Sequence, residues 1–177
     1  MRKLLSLFVL ALVFTASASA STIQQKLDAS ASFIAGKPVT ETCYRSQAAW
    51  NAYAKANGYS GSSVLALSIP GGNTNRYSPE VCLIINTVAT LGLKEVPARE
   101  VGEAIMVLAH EPELSYFPYV DGVDSQAEAC GPMFYAEVAH TVFGVAYHTI
   151  AMRKLVAAAL VWHNAEAKAL GASICPR

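Results

Sequence analysis

The chain has 177 residues, with 13 Lys or Arg and 13 Asp or Glu, so its formal net charge is zero when the histidines are neutral. Neither sign of charge forms a run along the sequence, which argues against nucleic-acid binding because the phosphates require a basic face. The length suits one domain that can bury its own core, and we predict a single domain after an export signal.

The first twenty residues have the pattern of a cleavable export signal. A short basic start at residues 1–3 precedes an apolar stretch, Leu4 to Phe14, and the small residues Ala18, Ser19 and Ala20 follow it. We therefore expect cleavage before Ser21 and a mature domain over residues 21–177. The apolar stretch is short for a membrane anchor. We predict a periplasmic or secreted protein with no membrane span after cleavage.

Four cysteines in the mature part predict two disulfides, because an even number of cysteines in an exported protein is usually bridged. Their spacing contains no Cys-x-x-Cys pair, which disfavours a zinc site or a redox site. The four residues are Cys43, Cys82, Cys130 and Cys175, and all three pairings stay open. Cys82 falls in the first turn of a predicted helix, so one bridge is expected to anchor that helix.

Helix start and stop signals recur along the chain and predict an all-α, single compact domain of five or six helices. A capping box within residues 21–25 opens the first helix, which ends at Gly36. Ser78 and Pro79 open another helix in the same manner. Further helices are predicted from near Thr42 to Gly58, from Pro97 to Pro112, and from Met133 onward, while residues 58–75 are predicted to be irregular.

The segment from Met133 to Leu170 shows no evident helix breaker, yet an unbroken helix of this length would measure about 57 Å. One face is apolar until Arg153 interrupts it, so we predict a bend near residues 152–154. This segment also bears on the disulfides, because Cys130 and Cys175 flank it. A bridge between them requires a helical hairpin, since bridged Cα atoms lie within about 7 Å.

Several potential metal ligands are spaced for helical presentation. Glu137, His140 and His148 share one stripe of a predicted helix over residues 133–152, and Glu-x-x-His is the spacing used by metal-binding helical bundles. His110 and Glu111 resemble the start of a zincin helix, but the second histidine is missing and Pro112 follows. The simpler interpretation is a solvated polar face. A mixed nitrogen and oxygen metal site is the alternative.

An aromatic segment follows the predicted helix that ends near Pro112. Tyr116, Phe117, Tyr119 and Asp121 surround a proline, and rigid aromatic side chains of this kind favour a partner-binding surface. The alternative is that the aromatic rings cover the core.

These observations favour an exported non-enzymatic binding or inhibitor protein with a protein partner, for example one that neutralises an envelope-targeted hydrolase or toxin. No nucleophile elbow, phosphate loop or EF-hand is found, so we predict no catalytic residue and no cofactor. One alternative is a metal-dependent enzyme, or a protein that binds a divalent metal or haem, through the histidine stripe. Another is a carrier of a small apolar ligand, since the helices are rich in Ala, Val and Leu.

Overall fold

The computed structural model describes residues 22–62, 64–116 and 130–170, and the predicted export signal lies outside them. The described part is mostly helical, as predicted, but it also contains a small three-stranded sheet, so the all-α prediction is wrong. The elements are α1 (Ile23–Ala35), β1 (Thr40–Cys43), α2 (Gln47–Ala56), β2 (Ala66–Ser68), β3 (Thr74–Tyr77), α3 (Pro79–Leu91), α4 (Ala98–Tyr116), α5 (Tyr135–Thr141) and α6 (Ile150–Leu170), with 3₁₀ turns at Leu93–Glu95 and Gly131–Phe134.

The predicted caps form at two helices. At α1 the Thr22 hydroxyl accepts the Gln25 N–H at 3.2 Å and the Gln25 side chain accepts the Thr22 N–H at 2.8 Å. The helix ends at Gly36, whose φ of 65° is left-handed. Ser78 caps α3 ahead of Pro79. The local hydrogen bonds and the left-handed glycine at these ends are the ones that the sequence signals predicted.

The sheet has the order β1-β3-β2, in which β1 runs parallel to β3 and β2 antiparallel to it. The helix predicted from near Thr42 to Gly58 is confirmed as α2, but it starts at Gln47 because residues 40–43 form β1. The prediction of irregular structure at β2 is wrong. Each strand has three or four residues, and β1 pairs with residues 34 positions further along the chain. Side chains of α1 cover the outer edge of β1: Asp28 Oδ1 accepts the Glu41 N–H at 2.7 Å, and the Gln24 amide donates to Glu41 O at 2.8 Å.

One disulfide joins Cys43 to Cys82, with Cα atoms 5.7 Å apart, and it ties the end of β1 to the first turn of α3. The prediction that a bridge anchors this helix is confirmed. The structure shows one disulfide within the described residues, whereas the sequence predicted two for the mature chain. Cys130 is fully buried, and Cys175, its remaining predicted partner, lies outside the described residues.

Helix α4 lies at the centre of the core and packs most extensively against α6. Gly102 permits this approach, because a Cβ atom there would lie 2.6 Å from the Ala158 Cβ atom. The helix continues through Pro112 to Tyr116, so the predicted stop at Pro112 is wrong. Leu108 and Leu114 are both buried, and burial on either side of the proline outweighs the lost backbone hydrogen bond.

The prediction of one helix from Met133 that bends near residues 152–154 is also wrong. The chain leaves the helix at the end of α5, crosses residues 142–149 as a loop, and starts α6 at Ile150. We call residues 142–149 the Tyr147 loop. None of the described helices combines the length and apolar character needed to cross a membrane.

Candidate functional site

The Tyr147 loop has well-defined ends. Gly144, with φ of 70°, terminates α5: its N–H donates to His140 O at 3.0 Å, and the Val145 N–H donates to Ala139 O at 3.1 Å. At the other end the Thr149 hydroxyl accepts the Met152 N–H at 3.1 Å, as an N-cap does, and donates to Ala146 O at 2.8 Å. The loop is thus fixed by hydrogen bonds at both ends.

Glu137 holds the centre of the site. Its carboxylate accepts the Thr141 hydroxyl at 2.6 Å and the Tyr147 hydroxyl at 2.5 Å. These two hydrogen bonds lower the pKa of Glu137, Thr141 contributing more than Tyr147. The same bond to Glu137 raises the pKa of the Tyr147 phenol. At neutral pH a carboxylate and a neutral phenol therefore share a short charge-assisted hydrogen bond.

The Tyr147 ring is also held from the side. It lies 4.2 Å from the His140 ring, centroid to centroid, with an interplanar angle of 31°. His140 Nδ1 lies 3.0 Å from Val145 O. Because a carbonyl can only accept, Nδ1 is the donor of this hydrogen bond. Tyr147 is nevertheless 42% exposed, so it is both fixed and accessible.

His148 has a left-handed backbone, with φ of 63°, and it is the single residue other than glycine with positive φ in the described chain. This conformation costs about 1 kcal/mol or more for a residue with a Cβ atom. The His148 side chain is exposed, and its ring lies 6.4 Å from the Tyr147 ring. The strained turn directs two neighbouring rings to the protein surface.

The chain segment around Tyr147 carries few charges. No Asp, Glu, Lys or Arg occurs between Glu137 and Arg153. Ala146, His148 and Ile150 are exposed beside Tyr147, and Ile150 is 65% exposed. Aromatic and apolar side chains with few charges characterise the centre of protein interfaces.

The five predicted metal ligands occupy two places. Glu137, His140 and His148 surround Tyr147, but His148 lies on the loop, so the single helical stripe is wrong. His110 and Glu111 lie inside α4, where Glu111 is buried. Among the described residues no three His, Cys, Asp or Glu side chains are grouped to hold a metal ion.

The predicted aromatic surface begins at the end of α4. Tyr116 is the last residue of that helix and is 50% exposed. Phe117, Tyr119 and Asp121 lie outside the described residues, so this surface stays a prediction.

A buried polar network lies under the sheet, and the sequence analysis did not identify it. Asn75 donates to Glu41 Oε1 at 2.8 Å, and its Oδ1 accepts the hydroxyls of Ser68 at 2.6 Å and Ser115 at 2.8 Å. The Tyr77 hydroxyl faces the network without an aligned hydrogen bond. Glu41, Asn75, Tyr77 and Ser115 are at most 3% exposed. We interpret the network as structural, because these four side chains are buried.

Burial raises the pKa of Glu41 from 4.5 to about 8. The Tyr77 and Asn75 side chains oppose this rise, and the carboxylates of Glu111 and Asp28 add to it. Glu41 is therefore mainly protonated at neutral pH. The alternation of polar residues in β1 and β3 could have indicated this network only if the pairing of the two strands had been known.

A depression of about 320 Å³ lies between α1, α3 and the start of the Tyr147 loop. Its lining is Ile23, Lys26, Val88, Ala89, Val142 and Phe143. The volume is at the small end for ligand pockets, and Ala89 is exposed at its rim. We assign no ligand to it.

Comparison with protein-family models, with curated proteins and with solved structures finds no match to this chain. The functional interpretation therefore depends on the geometry described above.

Proposed function

We propose that this chain is an exported, non-enzymatic binding or inhibitor protein that contacts a protein partner through the Tyr147 loop. The observation that carries the proposal is Tyr147 itself, an exposed aromatic side chain fixed by a hydrogen bond to Glu137 and by contact with His140. Exposed tyrosines are normally free to rotate. Here the loop and two side chains hold the ring in one orientation.

Fixing a side chain before binding strengthens an interface. Immobilising a flexible side chain costs about 0.5–1.5 kcal/mol on association, and a pre-organised residue avoids most of that cost. Tyrosine is also among the residues that dominate binding energy at interface centres. Apart from Glu137, residues 137–152 contain no Asp, Glu, Lys or Arg, so few ionised groups of this segment would lose water when the surface is covered.

The predicted partner class is an envelope-targeted hydrolase or toxin. The export signal predicted from the sequence would bring the protein to the compartment where such enzymes act. Inhibition by a fixed surface loop needs no reactive group on this chain, which agrees with the lack of a recognisable catalytic motif in the sequence.

Site-specific photo-crosslinking tests the proposal. A benzophenone side chain is introduced at position 147 in one variant and at position 59 in another, because Tyr59 is a tyrosine of similar exposure, 52%, far along the chain from the loop. We expect position 147 to give one protein adduct in intact cells and position 59 to give none with that protein. Equal labelling of the same protein from both positions would contradict the proposal.

A further inference from the structure

A second surface is built around Arg76 on the outer face of the sheet. Along β3, Asn75 and Tyr77 are fully buried whereas Thr74 and Arg76 are partly exposed, so Arg76 points away from the core. Its register partners are Thr42 on β1 and Leu67 on β2. The central strand thus presents one guanidinium group on the open face of the sheet.

Aromatic side chains fix this guanidinium. The Arg76 Cζ atom lies 4.9 Å from the centre of the Tyr53 ring, which is a cation–π contact. Tyr53 packs against Tyr44, at 5.5 Å, and against Trp50, at 6.1 Å, and those two rings lie 5.4 Å apart. Trp50 is fully buried and its indole N–H donates to Gly61 O at 3.0 Å, so the cluster has a rigid base.

Among residues 22–62, 64–116 and 130–170 the guanidinium has no acidic counterpart. Within the described part of the chain Arg76 forms no side-chain hydrogen bond or ion pair, and the stacked ring occupies one of its faces but none of its N–H donors. The Tyr44 and Tyr53 hydroxyls likewise have no hydrogen bond to a described residue, and both rings are partly exposed. The described residues therefore leave the N–H donors of the stacked Arg76 without a hydrogen-bond acceptor.

The segment of residues 42–79 carries only positive charge, although the whole chain has a formal net charge of zero. Residues 42–79 contain Arg45, Lys55 and Arg76 but no Asp or Glu. The three charges are widely spaced, so the sequence shows no basic run. This segment comprises α2, β2 and β3 and carries a net charge of three.

We propose that Arg76 anchors a second binding site, separate from the Tyr147 loop, which takes the carboxylate of an acidic protein segment. A planar guanidinium matches a carboxylate with two parallel N–H···O hydrogen bonds. Because Tyr53 already orients the guanidinium, little side-chain entropy is lost on binding. The unbalanced positive charge of residues 42–79 favours an acidic partner over a neutral or basic one.

Octaglutamate is a suitable probe for the site, and the side-chain ¹⁵N signal of Arg76 reports binding directly by NMR. We expect the largest shifts at Arg76 and Tyr53 on titration. Arg76→Gln is expected to weaken octaglutamate binding by about tenfold, which corresponds to the loss of one charge-assisted hydrogen bond. Arg76→Lys, which keeps the charge but loses the planar fork, is expected to give an intermediate affinity.

Arg45→Gln is the matched control, since it removes the same charge from the same basic region without touching the stacked group. We expect it to weaken octaglutamate binding less than about twofold, as for an exposed charge. Equal weakening by Arg45→Gln and Arg76→Gln would show diffuse attraction and overturn the proposal. Tighter binding of inorganic phosphate than of octaglutamate would also overturn it, because the ligand class would then be wrong.

Two further variants separate this site from folding effects and from the proposed function. Tyr53→Phe is expected to keep the stack and most of the affinity, and Tyr53→Leu to lose it while retaining Arg76. Equal loss in both would contradict a role for the ring face. Tyr147→Ala is expected to bind octaglutamate as the wild type does, so failure of either site is distinguishable from failure of the other.

Discussion

Replacing Glu41 by Gln exchanges a buried carboxyl group for a carboxamide of nearly the same shape, which cannot ionise. Gln is close in shape to a protonated Glu, its carbonyl can accept the Asn75 amide as Glu41 Oε1 does, and its amide replaces the carboxyl proton. The substitution removes the ionisable group, so residue 41 can no longer lose a proton as the pH rises. The pH dependence of stability should therefore change more than the stability at acidic pH.

The direction in which pH changes the stability follows from the pKa of Glu41, which is ordinarily 4.5 and is about 8 in the folded protein. Between these values the folded state keeps a proton that the unfolded state releases. The contribution of protonated Glu41 to the free energy of unfolding is thus fully present below pH 4.5 and is lost as pH rises toward 8. The loss reaches about 5 kcal/mol over the whole window, at ~1.4 kcal/mol for each tenfold change in proton affinity.

Urea unfolding followed by circular dichroism between pH 5 and pH 8.5 measures this effect. We expect the Glu41→Gln variant to match the wild type near pH 5 and to be more stable by several kcal/mol at pH 8.5. Glu100→Gln on the exposed face of α4 serves as the control and should follow the wild-type curve. Parallel curves for Glu41→Gln and the wild type would refute the assignment of the pH dependence to Glu41.

Three substitutions test the backbone geometry by the same unfolding measurement. Gly102→Ala should destabilise the fold by about 2 kcal/mol, because overpacking against Ala158 exceeds the helix propensity gained; an unchanged stability would contradict the close packing of α4 on α6. Gly144→Ala should cost about 1 kcal/mol from left-handed strain alone, since nothing lies within 4 Å of a Cβ atom there. His148→Gly should leave stability unchanged or raise it by up to about 1 kcal/mol, and a clear loss would show that His148 is not strained.

The helix ends were predictable where the signal is local. Thr22, Ser78 and Gly36 act within one turn of the chain. The helix ends that they form could therefore be predicted from the neighbouring sequence alone. Gly144 and Thr149 carry the same kinds of signal and were missed, because the apolar pattern over residues 133–152 continues through them. A glycine followed five residues later by a threonine cap would have predicted the break.

The sheet and the two polar sites depend on contacts that the sequence pattern does not reveal. Glu41 meets Asn75 only because β1 pairs with β3 across 34 residues. Arg76 on β3 meets the Tyr53 ring on α2, an element 20 or more residues earlier in the chain. The predicted metal ligands Glu137 and His140 do lie close together, but their nearest shared feature is Tyr147, which no spacing rule selected.

The central claim is that a fixed Tyr147 binds a protein partner. Isothermal titration of that partner, identified by crosslinking from position 147, against the Tyr147→Ala and Tyr59→Ala variants tests it most directly. We expect Tyr147→Ala to weaken binding by about thirtyfold or more, as for a hot-spot residue, and Tyr59→Ala to change it less than about twofold. Equal affinities for the two variants would contradict the account.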